Sequence, residues 1–463
     1  MMKNRYAVVL AAGKGSRMKS KLYKVLHKIC DRTMVELVLD SIEDLGMKEI
    51  ITVVGYGSEE VKKIISNRSS FVFQEEQLGT AHAVKMAYDK LYDKDGTTIV
   101  MYGDTPLIKK ETLEQMLNHH EKSSAKATVL TSYTSNPFAY GRIVRDSKGN
   151  LLKIVEEKDA TEEEKLIKEV NSGIYCFDNR ELFKLISLVK NDNNQGEYYL
   201  PDVLKFIREN GDKIETYVCD DFDETLGVND RVALSYAENI MRKRINKKHM
   251  LNGVTLVDPL NTYIASNVII GCDTTIYPNT TIKSKTIIGS NCIIKPNSYI
   301  ENSIVSDNVI IIQSTIIDSK IGKYSKIGPY SHLRDGVELG EKIRIGNFVE
   351  IKNSKYGNGT KTAHLSYIGD ATIGENTNIG CGSITVNYDG KTKHKTVIGN
   401  DVFVGCNSNL LAPVNIGDGA LIAAGTTVTK NVEDDTLAIG RVKQENKKGY
   451  AKRFPSARNI KSK

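Results

Sequence analysis

Between Ile264 and Val428 an aliphatic side chain returns at every sixth position. One run is Ile264, Ile270, Ile276, Ile282, Ile288, Ile294, Ile300. After a slip come Ile304, Ile310 and Ile316, and after another Ile321, Ile327, Leu333, Leu339, Ile345 and Ile351. The last run is Ile398, Val404, Leu410, Ile416, Ile422, Val428. Many of these residues precede a glycine, as in Ile270-Gly271, Ile288-Gly289 and Ile345-Gly346. A period of six matches neither a helix nor a strand of a hairpin sheet. It predicts a coil in which each unit is a short strand plus a turn. The aliphatic residue points inward and stacks on its neighbours, while the adjacent Gly, Asn or Asp takes the bend. This architecture is a parallel β-helix, a solenoid. The rhythm fails most clearly over Lys352 to His364, KNSKYGNGTKTAH. That stretch predicts a polar loop thrown out of the coil, the place where solenoids commonly carry a site.

Before Leu226 the six-residue period is absent and apolar strands alternate with amphipathic stretches. Tyr6–Leu10, Glu49–Val54, Phe71–Phe73 and Thr98–Tyr102 read as strands; Thr33–Leu45 and the stretch after Ser58 read as helices. Alternation of this kind predicts a parallel sheet with helices on both faces and ligands at the carboxyl ends of the strands. Asp230 to Leu251 contains no Gly or Pro, and Val232, Tyr236, Ile240 and Ile245 form a stripe. A single connecting helix is expected there. At 463 residues the chain exceeds what one core usually supports. The expected division is 1–229, a helical linker 230–250, and 251–463.

Charge changes this picture little. The net +7 suggests nucleic acid, but eight Lys/Arg against one Glu between Lys443 and Lys463 account for it. The tail therefore reads as an end helping to hold an anionic ligand, and no nucleic-acid module is expected. No apolar run approaches the length of a membrane span, so no membrane partner is expected, and MMKNRYAVVLAAGKG lacks a signal-peptide pattern. Seven scattered cysteines without a CxxC predict a reduced, cytoplasmic protein with neither a zinc site nor a disulfide framework.

The chemistry-bearing residues of the first half follow its strands. After Leu10 comes Ala11-Ala12-Gly13-Lys14-Gly15-Ser16-Arg17-Met18. Glycines there let backbone N–H groups approach phosphate oxygens, and Arg17 and Lys24 supply positive charge. After the third strand lie Gln74, Gln77, Gly79 and Thr80, whose amides and backbone suit a nucleobase edge. After the fourth lies Tyr102-Gly103-Asp104. Asp104 is either a turn cap or, with the Gly13 loop beside it, a Mg2+ ligand. Gly141, Glu156 and Asn171 suit sugar hydroxyls and an acetamido group, and Asn229 offers a further amide oxygen.

The string L-A-A-G-x-G-S-R-M-x-S-x-L-x-K resembles the signature of sugar-nucleotide pyrophosphorylases. Taken with the repeat, the whole chain resembles bacterial bifunctional N-acetylglucosamine-1-phosphate uridylyltransferase / glucosamine-1-phosphate acetyltransferases. The resemblance implies an α/β nucleotidyltransferase (Rossmann-like) domain followed by a left-handed parallel β-helix of hexapeptide repeats. It implies that Leu10, Ala11, Ala12, Gly13, Arg17, Lys24, Gln74, Gln77, Gly79, Thr80 and Tyr102 hold UTP and the product. Asp104 and Asn229 would bind Mg2+, and Gly141, Glu156 and Asn171 the N-acetylglucosamine moiety. Departures from the family pattern are Ser16 for Thr, and Asp31 and Thr33 for Gly and Pro.

In the second half the same resemblance makes His364 the general base, the one nearby side chain able to deprotonate an amine near pH 7 unaided. Arg334, Lys352, Tyr367, Asn378 and Lys393 would hold glucosamine 1-phosphate. Cys381, Asn387, Tyr388, Cys406, Ala424 and Arg441 would line the acetyl-CoA side. Cys381 stands where the family often has Ala, and Cys406 where it often has Ser. The implied activity is acetylation of glucosamine 1-phosphate, then uridylylation to UDP-N-acetylglucosamine for peptidoglycan and other envelope polymers, by a homotrimer. Three alternatives stay open: a pyrophosphorylase whose β-helix is only an oligomerisation or regulatory scaffold, a binding solenoid with an inactive nucleotide domain, and a zinc hydratase on the same coil.

Overall fold

A computed structural model describes residues 4–55 and 57–453. The chain divides into two compact units between Ile245 and Asn246.

The first unit is built on one sheet of nine strands. In chain order these are β1 (Arg5–Leu10), β2 (Met47–Val54), β3 (Ser70–Phe73), β4 (Thr97–Tyr102), β5 (Ala127–Tyr133), β6 (Arg142–Arg145), β7 (Leu151–Val155), β8 (Glu169–Asp178) and β9 (Ile214–Cys219). The order across the sheet is β9-β5-β8-β4-β1-β2-β3, with β6 joined to β8 and β7. β1, β2, β3 and β4 are mutually parallel, as the alternation predicts. β8 departs from that expectation: it runs antiparallel to both β4 and β5. Strand direction is set by the connections, and an apolar run carries no mark of it.

β1 shows why its sequence is apolar without alternation. Tyr6, Val8 and Leu10 enter one core with Val84, Phe183 and Leu204, while Ala7 and Val9 enter another with Val38, Val61 and Leu117. A central strand covered on both faces needs an apolar residue at every position. α1 (Met34–Ile42) begins with a reciprocal cap in which Thr33 Oγ1 accepts from Glu36 N and Glu36 Oε2 accepts from Thr33 N at 2.8 Å. Thr33 is thus a working helix start. Asp31 sits at φ 69, a backbone state that glycine takes without cost.

The second unit is the expected coil. Strands of two to four residues stack into three parallel sheets of 11, 10 and 9 strands. The first sheet's inward column includes Ile276, Ile294, Ile311, Ile327, Ile345, Thr362, Ile379, Val404 and Ile422, all buried. Gly346 illustrates the tightness of the winding, because a Cβ there would lie 1.9 Å from the Ala363 carbonyl oxygen on the next coil.

Two expectations for the coil are overturned. Ile304 and Ile310 are outward residues, Ile304 being 44% exposed; Val305, in the 9-stranded sheet, and Ile311, in the 11-stranded one, point inward instead. Each is the second of an aliphatic pair, and the corner before Val305 is one residue shorter than six, so the hydrophobic pattern allowed either register. The loop expected over Lys352–His364 does not exist. That stretch is regular coil, with strands Glu350–Lys352, Lys355–Tyr356 and Lys361–His364. Its inward positions are Tyr356 and Thr362, buried and 3.1 Å apart through their oxygens, which a scan for aliphatics passes over. The true excursion is residues 387–395, between strands Ile384–Val386 and Thr396–Ile398. One long helix, Arg231–Leu251, covers the stretch read as a connecting helix.

Candidate active sites

In the first unit the strand ends converge as expected. Leu10, Ala11, Ala12, Gly13, Lys24, Gln74, Gln77, Gly79, Thr80, Tyr102 and Asp104 line one cavity of about 200 Å3, together with Val25, Ala83 and Glu197. Glu197 was not expected; it belongs to QGEYY, which carries no motif, and only the fold brings it there. Lys24 Nζ is bonded to Asp104 Oδ2 and, at 2.6 Å, to Asn229 Oδ1. Arg17 Nη2 donates to the same Asn229 oxygen at 2.9 Å. A carboxylate oxygen and an amide oxygen thus share one cationic position beside the Gly13 loop, the donor set a hard divalent cation takes. The register is held by backbone: Gly103 N donates to Leu10 O and Val228 N to Asp104 O.

Gln74 is almost fully buried, and its Nε2 contacts Gly79 O at 3.3 Å and His82 Nδ1 at 3.0 Å. Gln77 Nε2 is buried without a partner, a donor available to a bound base. Gly79 has φ +115, and a Cβ on it would lie 2.6 Å from the Tyr198 backbone, so only glycine fits between the cavity and that segment.

The three sugar candidates also meet. Asn171 N donates to Gly141 O at 2.9 Å, and a Cβ on Gly141 would lie 3.1 Å from Glu156 Oε1. Burial, then the carboxylates Asp159 and Asp202, hold the Glu156 carboxyl above its ordinary range. Burial, with Glu156 next, pushes the Tyr102 phenol up. Asn171 Nδ2 donates to Tyr175 OH at 2.6 Å and its Oδ1 accepts from Gly173 N.

In the second unit most candidates fall into two groups, one on the 10-stranded sheet and one at the strand ends of the 11-stranded sheet. Arg334 and Lys352 face each other on successive coils, and Asp335 bridges them. Lys393 reaches them from the 387–395 excursion, and contact with Lys352 holds its ammonium below the ordinary range. Asn387 donates to Asp370 Oδ2 at 2.6 Å, and Tyr388 pairs with Lys393 across the excursion. The Tyr367 hydroxyl and Asn387 Nδ2 both lie against Gly369. Asp370, which sequence reasoning missed, also accepts from Asn353 at 2.6 Å and so ties the excursion to the coil.

The other group is a file. His364, Cys381, Cys406 and Ala424 each stand two residues after an inward residue of the first sheet, Thr362, Ile379, Val404 and Ile422, which pair in that order. They therefore stack at one corner of the coil. Arg441 Nη1 donates to the Ala424 carbonyl. Asn378 stands apart from the Arg334 group, on the first sheet beside Lys361 and Phe403. The tail beyond Arg453 lies outside the described residues, so its expected role has no structural counterpart here.

Known proteins match both halves. The model of the nucleotidyl transferase family covers residues 6–224. The bacterial transferase hexapeptide model covers residues 395–430, and a GMPPB C-terminal domain model residues 264–355. A bifunctional protein GlmU of Staphylococcus carnosus is 67% identical over 96% of this chain and 98% of its own. One from Geobacillus is 54% identical over 99% of this chain and all of its own, and one from Listeria monocytogenes is 54% identical over 97% and 99%. The chain belongs to the GlmU family. As a GlmU-family protein it is a bifunctional enzyme of UDP-N-acetylglucosamine synthesis, a nucleotidyltransferase followed by a left-handed hexapeptide acetyltransferase β-helix. Among the described residues no helix is long and apolar enough to cross a membrane.

Proposed function

We propose that residues 1–229 transfer uridylyl from UTP to N-acetylglucosamine 1-phosphate, that 230–250 link the halves, and that 251–463 transfer acetyl from acetyl-CoA to glucosamine 1-phosphate. The observation that carries the first part is the meeting of Asp104, Asn229 and Lys24 at the mouth of the cavity lined by Gly13 and Gln74. Asp104 and Asn229 would hold Mg2+, whose charge offsets that of the triphosphate when bound. The Gly13 loop and Arg17 receive phosphate oxygens, Gln74 and Gln77 the base, and Gly141, Glu156 and Asn171 the acetamido sugar. The sugar phosphate attacks the α-phosphorus and pyrophosphate leaves, so no side chain becomes covalently bonded. The chain's contribution is alignment and charge.

In the second reaction Arg334, Lys352 and Lys393 hold the sugar phosphate, with Tyr367 and Asn378 completing the substrate contacts. His364 takes a proton from the 2-amino group, and the amine attacks the thioester carbonyl. CoA leaves as the thiol, and the Cys381–Cys406–Ala424 file with Asn387, Tyr388 and Arg441 lies along it. Neither cysteine carries the acetyl group, since direct transfer balances without one. We further propose a cytoplasmic homotrimer. Support comes from a row of exposed apolar residues at the corner next to His364: Tyr330 and Phe348, stacked at 5.1 Å, and Leu365. Such a row beside a reacting residue suits a neighbouring copy.

The test supplies glucosamine 1-phosphate, UTP and Mg2+ with and without acetyl-CoA, and identifies products by mass. UDP-N-acetylglucosamine appears only with acetyl-CoA. If N-acetylglucosamine 1-phosphate must be added instead, the β-helix is a scaffold and the second half of the proposal falls.

A further inference from the structure

Residues 77–82 and 197–198 form a thin partition. Gln77, Gly79, Thr80 and Glu197 line the nucleotide cavity on one side, while Leu78, Ala81, His82 and Tyr198 line a second cavity on the other. Backbone bonds from Ala81 N to Tyr198 O and from Tyr198 N to Leu78 O close it. One side chain contact crosses from the far side toward the nucleotide, that of His82 to Gln74.

Two contacts together fix the orientation of the Gln74 amide, the Gly79 one being the longer. The Gly79 carbonyl oxygen, 3.3 Å away, accepts hydrogen bonds and cannot donate, so the atom facing it is Nε2. The same Nε2 lies 3.0 Å from His82 Nδ1. Its two hydrogens are therefore committed, one to a carbonyl and one to an imidazole nitrogen that must be the unprotonated one. Oε1 is what Gln74 has left for the cavity it lines. It is an acceptor and meets a donor.

We propose that His82 is a positioning residue that sets the base preference of the uridylyltransferase site. By accepting from Gln74 Nε2 it fixes the amide with Oε1 toward the base, where it takes a hydrogen bond from a ring N–H flanked by carbonyls. Uracil has that N–H; cytosine presents a bare nitrogen there and leaves two acceptors opposed. Without His82 the amide is held by Gly79 O alone and rotates more freely to suit either base. The inference rests on the reading that Gln74 meets the base.

The experiment measures kcat/KM for UTP and for CTP with N-acetylglucosamine 1-phosphate in the full-length chain. The variants are His82→Leu, His82→Met, His82→Asn and Gln74→Leu. Because both nucleotides are assayed on one preparation, loss of folded protein cancels from the ratio. His82→Leu and His82→Met are expected to lower the UTP/CTP ratio on the order of tenfold, the scale of one buried hydrogen bond. His82→Asn, whose Oδ1 stands close to where Nδ1 was, is expected to restore it. Gln74→Leu is expected to lower it at least as far. An unchanged ratio in His82→Leu and His82→Met alongside a fall in Gln74→Leu overturns the role of His82 and leaves the base reading intact. A fall that His82→Asn does not rescue makes the effect steric and also overturns it. An unchanged ratio in Gln74→Leu removes the base reading and the proposal with it.

Discussion

The two candidate sites are built on opposite plans. The first is concave: strand ends of one unit surround a cavity, and Gln74 is packed out of solvent. The second lies along a convex solenoid, where His364, Tyr388 and Cys406 are exposed. A cavity of one chain surrounds a ligand on several sides by itself; a coil's corner offers one side. The first candidate site is thus gathered within one unit, while the residues proposed for the second lie open, which is where the proposed trimer matters. The concave site tolerates little change in shape at Gly79, while the open one depends on charge and reach.

Single substitutions should separate the two activities. His364→Ala is expected to lower acetyl transfer by about 10^2- to 10^4-fold, the usual worth of a general base, and to leave uridylyl transfer intact. Acetylation at the normal rate would remove His364 from its role. Asp104→Ala should do the converse, lowering uridylyl transfer by at least about a hundredfold with acetyl transfer unchanged, and EDTA should reproduce that pattern in the unsubstituted protein. Equal losses in both assays would point to misfolding and would sink the assignment.

The remaining predictions concern stability. Val305→Ser, at a fully buried inward position, should cost about 2–3 kcal/mol in denaturant unfolding of the coil. Ile304→Ser, one residue away and outward, should stay within ~0.5 kcal/mol. The reverse ranking would restore the register that the sequence alone suggests. Glu156→Gln should have the smallest effect. The Glu156 carboxyl is held above its ordinary 4.5, so the folded chain binds that proton more tightly than the unfolded one. Its ionisation therefore costs stability at neutral pH, and the cost vanishes as pH falls through 4.5. The amide variant should melt higher than the parent at neutral pH and no higher below 4.5, while binding N-acetylglucosamine 1-phosphate more weakly. Equal melting at both pH values would contradict the burial of that carboxyl.

How much was legible in the residues varied with how each feature is encoded. The Tyr6–Leu10 strand and the Gly13 loop were plain, because a strand buried on both faces and a phosphate cradle each leave a local signature. The coil was plain from its period, but its phase was not: in Ile304-Val305 either residue satisfies the pattern, and a shortened corner decides. Tyr356 and Thr362 hid two coil positions because their oxygens satisfy each other inside. Asp370 and Glu197 could not be picked out, since each matters through a partner distant in sequence. The direction of β8 left no trace in its residues, EVNSGIYCFD.

The excursion at 387–395 leaves the coil and returns without disturbing the ladder: Thr396 pairs with Ala371 and Ile398 with Ile373, as though no residues intervened. A rung therefore works as a mount whose fitting can be exchanged. A shorter, longer or differently charged segment at that corner alters what stands beside Arg334 and Lys352, the residues proposed to hold the sugar phosphate, and asks nothing new of the folding of the rungs. On the proposed acetyl-acceptor site, an engineer seeking a new amine substrate should therefore begin with residues 387–395 and leave the stacked isoleucines alone.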